Sequence, residues 1–104
     1  RAINYSTMMA QRGESVRVTN NSWGGGPSNS LLRNSISESG DAGGLFVAAS
    51  GNSGVNTDVS AHYPAGYGLP NIISVAATDH SDHLAEFSNF GVNTVDVAAP
   101  GVSI

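Results

Sequence analysis

The chain has 104 residues, of which 39% are hydrophobic and only 12% charged, and it carries a net charge of −4 with four Arg, no Lys and no Cys. Its length is enough for one domain or part of one. Without a basic stripe it cannot bind nucleic acid through phosphates, without Lys it cannot form a phosphate-cradling P-loop, and without Cys it has neither a disulfide framework nor a thiolate metal site. No stretch approaches the ~20 apolar residues of a membrane span. Polar groups at the surface must come mainly from Ser, Asn and Thr.

Taken in chain order, residues 2–11 read as the end of a helix, with Ala2, Tyr5 and Met9 on one face and Gly13 as a stop. Val16, Val18 and Thr19 suggest a strand over 15–20. It runs into the glycine-rich turn of Asn20 to Pro27. A helix then starts with Ser28 or Asn29 as cap. Leu31, Leu32 and Ile36 form its modest apolar stripe, and the glycines at 40–44 close it. Leu45-Phe46-Val47-Ala48-Ala49 is a short apolar run without polar alternation, the pattern of a strand buried on both faces. Strand, helix and strand together have the size of one βαβ unit.

Residues 53–70 form a polar loop rich in Gly, Pro, Asn and Asp, long enough to suggest a functional role. Residues 72–77 read as a third strand, and Asp79-His80-Ser81-Asp82-His83 as a polar turn. Phe87 and Phe90 are expected as core contacts. Residues 95–99 read as a fourth short strand, broken by Pro100-Gly101. The expected fold class is α/β, part of a three-layer arrangement with a parallel sheet. The glycine-rich loops after the first two strands then fall on the same edge of that sheet.

The organising stretch is the end of the second strand, where the apolar run collapses into Ser50-Gly51-Asn52-Ser53-Gly54. Ligands bind just outside the carboxyl ends of strands in open parallel sheets. Asn52 stands there with two N–H donors and no charge, so it can stabilise an oxyanion without titrating. Glycines at 24, 25 and 51 let another main chain approach. Backbone at 23–25 can pair with a peptide as an added strand. The small residues Ala48, Ala49 and Gly51 imply a roomy, apolar pocket. On these grounds a large apolar side chain is the expected occupant.

Five blocks in order, at residues 20–26, 46–54, 62–65, 71–79 and 97–104, resemble the middle of the catalytic domain of subtilisin-like serine endopeptidases, the peptidase S8 or subtilase family. The similarity covers nearly the whole chain. It implies that Asn52 is the side-chain donor of the oxyanion hole. It implies substrate-binding roles for Ser22, Trp23, Gly24 and Gly25 on one wall and for Ala49, Ser50 and Gly51 on another, with Tyr63-Pro64 near the pocket's base. A cation, calcium or sodium, is implied at Asp96 with backbone carbonyls around Ala65 and Tyr67, hard oxygen ligands of the kind such ions take. No cofactor is implied for the chemistry. The implied setting is an extracellular, secreted enzyme whose catalytic domain is monomeric, with a polypeptide substrate.

The family's Asp-Thr/Ser-Gly, His-Gly-Thr-His and Gly-Thr-Ser-Met-Ala blocks are absent from residues 1–104. The chain therefore reads as the central portion, 1–104, of a catalytic domain with both flanks missing, holding the oxyanion donor but no nucleophile, base or orienting carboxylate. By itself it should be inactive. The alternative is a non-catalytic subtilisin-fold peptide-binding module whose triad has decayed. A nucleotide-binding domain lacks its Gly-x-Gly-x-x-Gly here, and an α/β-hydrolase elbow lacks its Gly-x-Ser-x-Gly. The His pair of the 79–83 turn can be read as zinc ligands but fits a solvated turn better. His62 is a lone histidine near the substrate loop, with no role implied. Asp96, between Val95 and Val97, is expected to be partly buried, either holding the cation or accepting from backbone amides.

Overall fold

The computed structural model describes residues 1–104. Four strands, β1 (Val18–Asn21), β2 (Leu45–Ala49), β3 (Ile72–Thr78) and β4 (Val97–Pro100), form one parallel sheet in sequence order. They are accompanied by α1 (Ala2–Gln11), α2 (Ser30–Asp41) and a 3-10 turn at Ala65–Tyr67. The fold is the expected α/β arrangement. Asn21 lies beside Ala48 in the register, so the loops after β1 and β2 leave the sheet side by side.

Phe46 and Ala48 of β2 are buried with Ile36 of α2, Ile72 of β3, and Ala65 and Tyr67 of the 3-10 turn. The opposite face of β2 is less covered than its apolar run implies. Leu45 is exposed, and Val47 and Ala49 are half-buried. A continuous apolar run signals contact on both faces, and residues 1–104 supply full cover on only one. The edge strand β4 is exposed throughout.

Asn29 is the cap of α2. Its Oδ1 accepts from Leu31 N at 2.9 Å and Leu32 N at 3.2 Å. The Tyr67 hydroxyl accepts from Asn29 N at 2.9 Å and so pins the helix start to the 3-10 turn. The inward stripe of α2 is Leu32, Ile36 and Ser39. Leu31 is 77% exposed, because it sits one position round the helix from Leu32. The covered face of α1 likewise differs from expectation. Ile3, Thr7 and Ala10 turn inward, whereas Ala2 and Tyr5 are exposed and only Met9 of the expected trio is half-buried.

A larger difference lies at residues 85–90. Phe87 and Phe90 are 42% and 41% exposed, and the buried residues are Ala85, Ser88 and Asn89. Polar side chains are tolerated there because they are hydrogen-bonded. Ser88 Oγ accepts from Ala77 N of β3 at 2.9 Å and donates to Asn89 O at 2.9 Å.

The long 53–70 loop is tied down by Asp58. Its carboxylate accepts from Thr94 Oγ1 at 2.7 Å, Thr94 N at 2.9 Å and Asn93 N at 3.1 Å. The Thr94 hydroxyl, helped by backbone amides of residues 92–94, holds this carboxyl below its ordinary value of 3.8. A depressed folded pKa adds stability above the unfolded value, and that stability is lost as pH falls through the folded one. Asp58→Asn is therefore expected to lower the melting temperature at neutral pH and to flatten its decline below about pH 4. Thermal melts of the full-length protein across that range check this; parallel pH profiles for the two proteins would rule out the clamp.

Candidate functional site

The site begins where the sheet ladder ends. Ser50 N still donates to Val75 O at 2.9 Å. At Gly51 the chain turns away with φ of +108°, a region that favours glycine, and a Cβ there would collide with Asn89 Nδ2. Asn89 is 1% exposed. Its Nδ2 donates to Ser50 O at 2.8 Å, and its Oδ1 accepts from Ser53 N at 3.0 Å and Val55 N at 3.2 Å. Asn89 N also donates to Gly51 O at 2.9 Å. One buried amide thus grips the loop on both sides of Asn52. Asn52 itself is exposed, and its side chain is absent from the chain's own hydrogen-bond network. The loop is fixed by its neighbours and the Asn52 amide is left free for a ligand.

Two cavities meet at this loop. The smaller, about 230 Å³, crosses the carboxyl ends of the strands and is lined by Ala48, Ala49, Ser50, Val75, Ala76 and Ala99, among others. The larger, about 570 Å³, lies between the 22–26 loop and the 49–53 loop, with Ala61 and His62 also lining it. Ser22, Ala49, Gly51 and Asn52 border both. Asn52 therefore stands on the ridge between them.

Trp23, Gly24 and Gly25 line the larger cavity with Ser22. A Cβ at Gly24 would lie 2.5 Å from His62 Nε2 and 2.7 Å from Tyr63 O, so the close approach admits only glycine. Gly25 N donates to Tyr63 O at 2.9 Å, which locks the two loops together. Trp23 is at once a wall and part of the packing. Its ring meets Phe46 edge-on with centroids 6.2 Å apart, its Nε1 donates to Asn21 Oδ1 at 3.3 Å, and 46% of it remains exposed. Tyr63 and Pro64 line neither cavity; Tyr63 stacks at a tilt on Tyr67, centroids 4.7 Å apart, and Pro64 is buried. They brace the pocket from behind. Ser50 belongs to the smaller cavity only.

The apolar pocket expected beside Ala48, Ala49 and Gly51 is the smaller cavity, which these three line with Val47, Val75, Ala76 and Ala99, whereas the larger cavity is roomy and more polar. Its lining is dominated by Gly, Ser, Asn52 and His62, with only Trp23, Ala49 and Ala61 hydrophobic. The sequence reading placed no weight on His62. A lone histidine ten positions beyond Asn52 carries no local signal that it folds back against Gly24 and Gly51. Asn89 was missed for a related reason, because its flanking phenylalanines drew the core assignment to themselves.

Asp96 is exposed rather than partly buried, since it precedes the edge strand β4. Its Oδ2 accepts from Ser74 N at 2.8 Å and its own N donates to Ser74 O at 2.9 Å. It shares a cavity of about 250 Å³ with Ala65, Gly66, Gly68, Asn93 and Thr94; Tyr67 does not line that cavity. No three His, Cys, Asp or Glu residues gather into a metal-binding group. In the 79–83 turn, Asp79 Oδ1 accepts from Ser81 N at 2.8 Å and His83 N at 3.0 Å, bonds that hold its carboxyl below the ordinary value. His80 and His83 are solvated.

The family model for peptidase S8, described as the subtilase family, matches residues 1–103. The chain belongs to the subtilase family. Thermitase from Thermoactinomyces vulgaris is 40% identical over 98 residues, covering 94% of this chain and 32% of thermitase. Subtilisin BL from Lederbergia lenta is 38% identical over 89 residues, covering 86% of this chain and 31% of that protein. The crystal structure of a cold adapted subtilisin-like serine proteinase superimposes with a TM-score of 0.79 at 33% identity, covering 98% of this chain and 35% of that one. The chain thus spans about a third of the length of these subtilases.

Removing the Asn89 side chain strands Ser50 O, Ser53 N and Val55 N, and a buried unsatisfied group costs about 1–3 kcal/mol. Asn89→Ala is expected to lower stability by roughly 2–4 kcal/mol, some of the three groups finding water. Amide exchange at Ser53 and Val55 should accelerate beyond that at β3. Unchanged protection at these two amides would show that the loop does not depend on Asn89.

Proposed function

We propose that this chain is the central part of a subtilisin-like serine endopeptidase, in which it supplies the oxyanion-hole Asn52 and the walls of the substrate pocket. The observation that carries the reading is the free, uncharged Asn52 amide on the ridge between two cavities, in a loop held rigid by Asn89. Family membership supports the same chemistry.

A polypeptide segment lies extended along residues 22–25, its side chain before the cut in the larger cavity and its carbonyl at Asn52. As a nucleophile adds to that carbonyl, negative charge grows on the oxygen and the Asn52 N–H donates to it. A donor fixed before the reaction needs no reorganisation at that moment. Nucleophile, base and orienting carboxylate come from family blocks outside residues 1–104, and the Asn52 loop contributes geometry and a dipole, not a proton. The enzyme is read as extracellular with a monomeric catalytic domain. No helix is long and apolar enough to cross a membrane.

In the full-length protein, Asn52→Ala is expected to cut turnover by roughly 10²–10³ with KM little changed, a magnitude carried over from the corresponding donor of subtilisin. Steady-state peptide hydrolysis measures it. A loss of only a few-fold in a folded variant removes Asn52 from the mechanism, and peptide binding without any turnover would instead favour a binding module.

A structural cation, calcium or sodium, is the second part of the reading. The Asp96 carboxylate keeps one oxygen clear of its bond to Ser74 N, and it faces a cavity bordered by backbone at 65, 66 and 68 and by Asn93 and Thr94. One carboxylate among neutral oxygens suits a hard ion held weakly. Tyr67 would contribute only its carbonyl, its hydroxyl being engaged at Asn29. Chelator should lower the melting temperature of the full-length protein by several degrees and have no effect in Asp96→Ala. Equal melting of the parent protein with and without chelator would dismiss a calcium site, and equal melting in sodium and choline salts a sodium one.

A further inference from the structure

We infer that His62 sets the specificity of the larger cavity and makes it select a side chain that can hydrogen-bond to the imidazole over a large apolar one. This rests on the peptidase reading and names the substrate class of the same pocket.

The imidazole is wedged between the two substrate loops. A Cβ built on Gly24 would lie 2.5 Å from its Nε2, and one built on Gly51 would lie 2.9 Å from its Cε1 and 3.0 Å from its Nδ1. The ring is therefore held on both sides by glycine backbone. Among the 11 residues lining the cavity, His62 is the only ionisable one.

Its nitrogens are also unclaimed. No hydrogen bond of the chain involves the imidazole, and Ser74 Oγ is the only buried side-chain polar atom without a partner, so the ring nitrogens remain reachable. An apolar occupant would cover a polar ring without replacing its hydrogen bonds, which is costly. A site built to hydrogen-bond its substrate rejects analogues that lack the matching group.

The test uses the full-length protein and chromogenic peptide anilides that differ only in the residue before the cut: Glu, Gln, Leu or Phe. The parent protein should show kcat/KM for Glu and Gln above that for Phe by roughly tenfold or more. His62→Gly should move the preference to Phe. His62→Gln, which keeps a hydrogen-bonding group at this position, should keep the preference for Gln, and it decides the matter if the glycine variant does not fold. A parent protein that prefers Phe or Leu, or a preference that His62→Gly does not move, overturns the assignment of His62 and leaves the peptidase reading standing. Folded parent protein that cleaves none of the four and no unstructured protein overturns both.

Discussion

The structure turns on one buried amide. Asn89 lies 1% exposed at the end of a segment that packs against β3, and its side chain satisfies a carbonyl and two N–H groups of the neighbouring loop. A loop of Ser, Gly and Asn has no side chains large enough to pack itself into one shape. Its order must come from outside, and backbone groups that would otherwise be orphaned near the core supply the means. Gly51 completes the arrangement, since its positive φ and missing Cβ let Asn89 come close enough to bond on both sides of Asn52.

The same logic builds the facing wall. Residues 22–26 contribute little packing beyond Trp23, which rests on Phe46. Their position is set by the bond from Gly25 N to Tyr63 O and by the close approach of Gly24 to His62. The 62–65 segment is therefore the brace for the cavity. It is joined to the first βα connection through Gly25 and, by the hydroxyl of Tyr67 just beyond it, to the start of α2. Parallel strand order brings the two glycine-rich turns side by side, and this brace fixes the gap between them.

Sequence patterns were informative where one residue type at one position has a single physical use. The apolar run at 45–49, the glycine-rich strand ends and the Asn29 cap each announced a local structure, and the ordered blocks announced the family. Burial was less legible. Leu31 and Leu32 differ by one step round a helix, and nothing local says which turns inward. Phe87 and Phe90 looked like core because large aromatics usually pack, yet Ser88 and Asn89 between them make the buried contacts. Hydrogen bonds reaching 36 or 39 positions along the chain, as those of Asn89 do, leave no periodic trace. His62 was unreadable for the same reason, because its meaning lies in two glycines distant in sequence.

The polar groups of the site divide into two kinds. Every hydrogen bond that shapes the Asn52 loop, from Asn89 to Ser50, Ser53 and Val55, joins neutral groups. The braces from Gly25 to Tyr63 and from Asn29 to Tyr67 are neutral as well. None of these changes charge between pH 5 and 8, so the geometry around Asn52 holds across that range. The one ionisable group in the larger cavity, His62, takes no part in the hydrogen bonds that hold the loop. A change at His62 can therefore alter the lining of the cavity without moving the Asn52 amide. A low charge content, read from composition as an absence, thereby has a positive consequence: the placement of the Asn52 amide and the character of the larger cavity rest on separate groups.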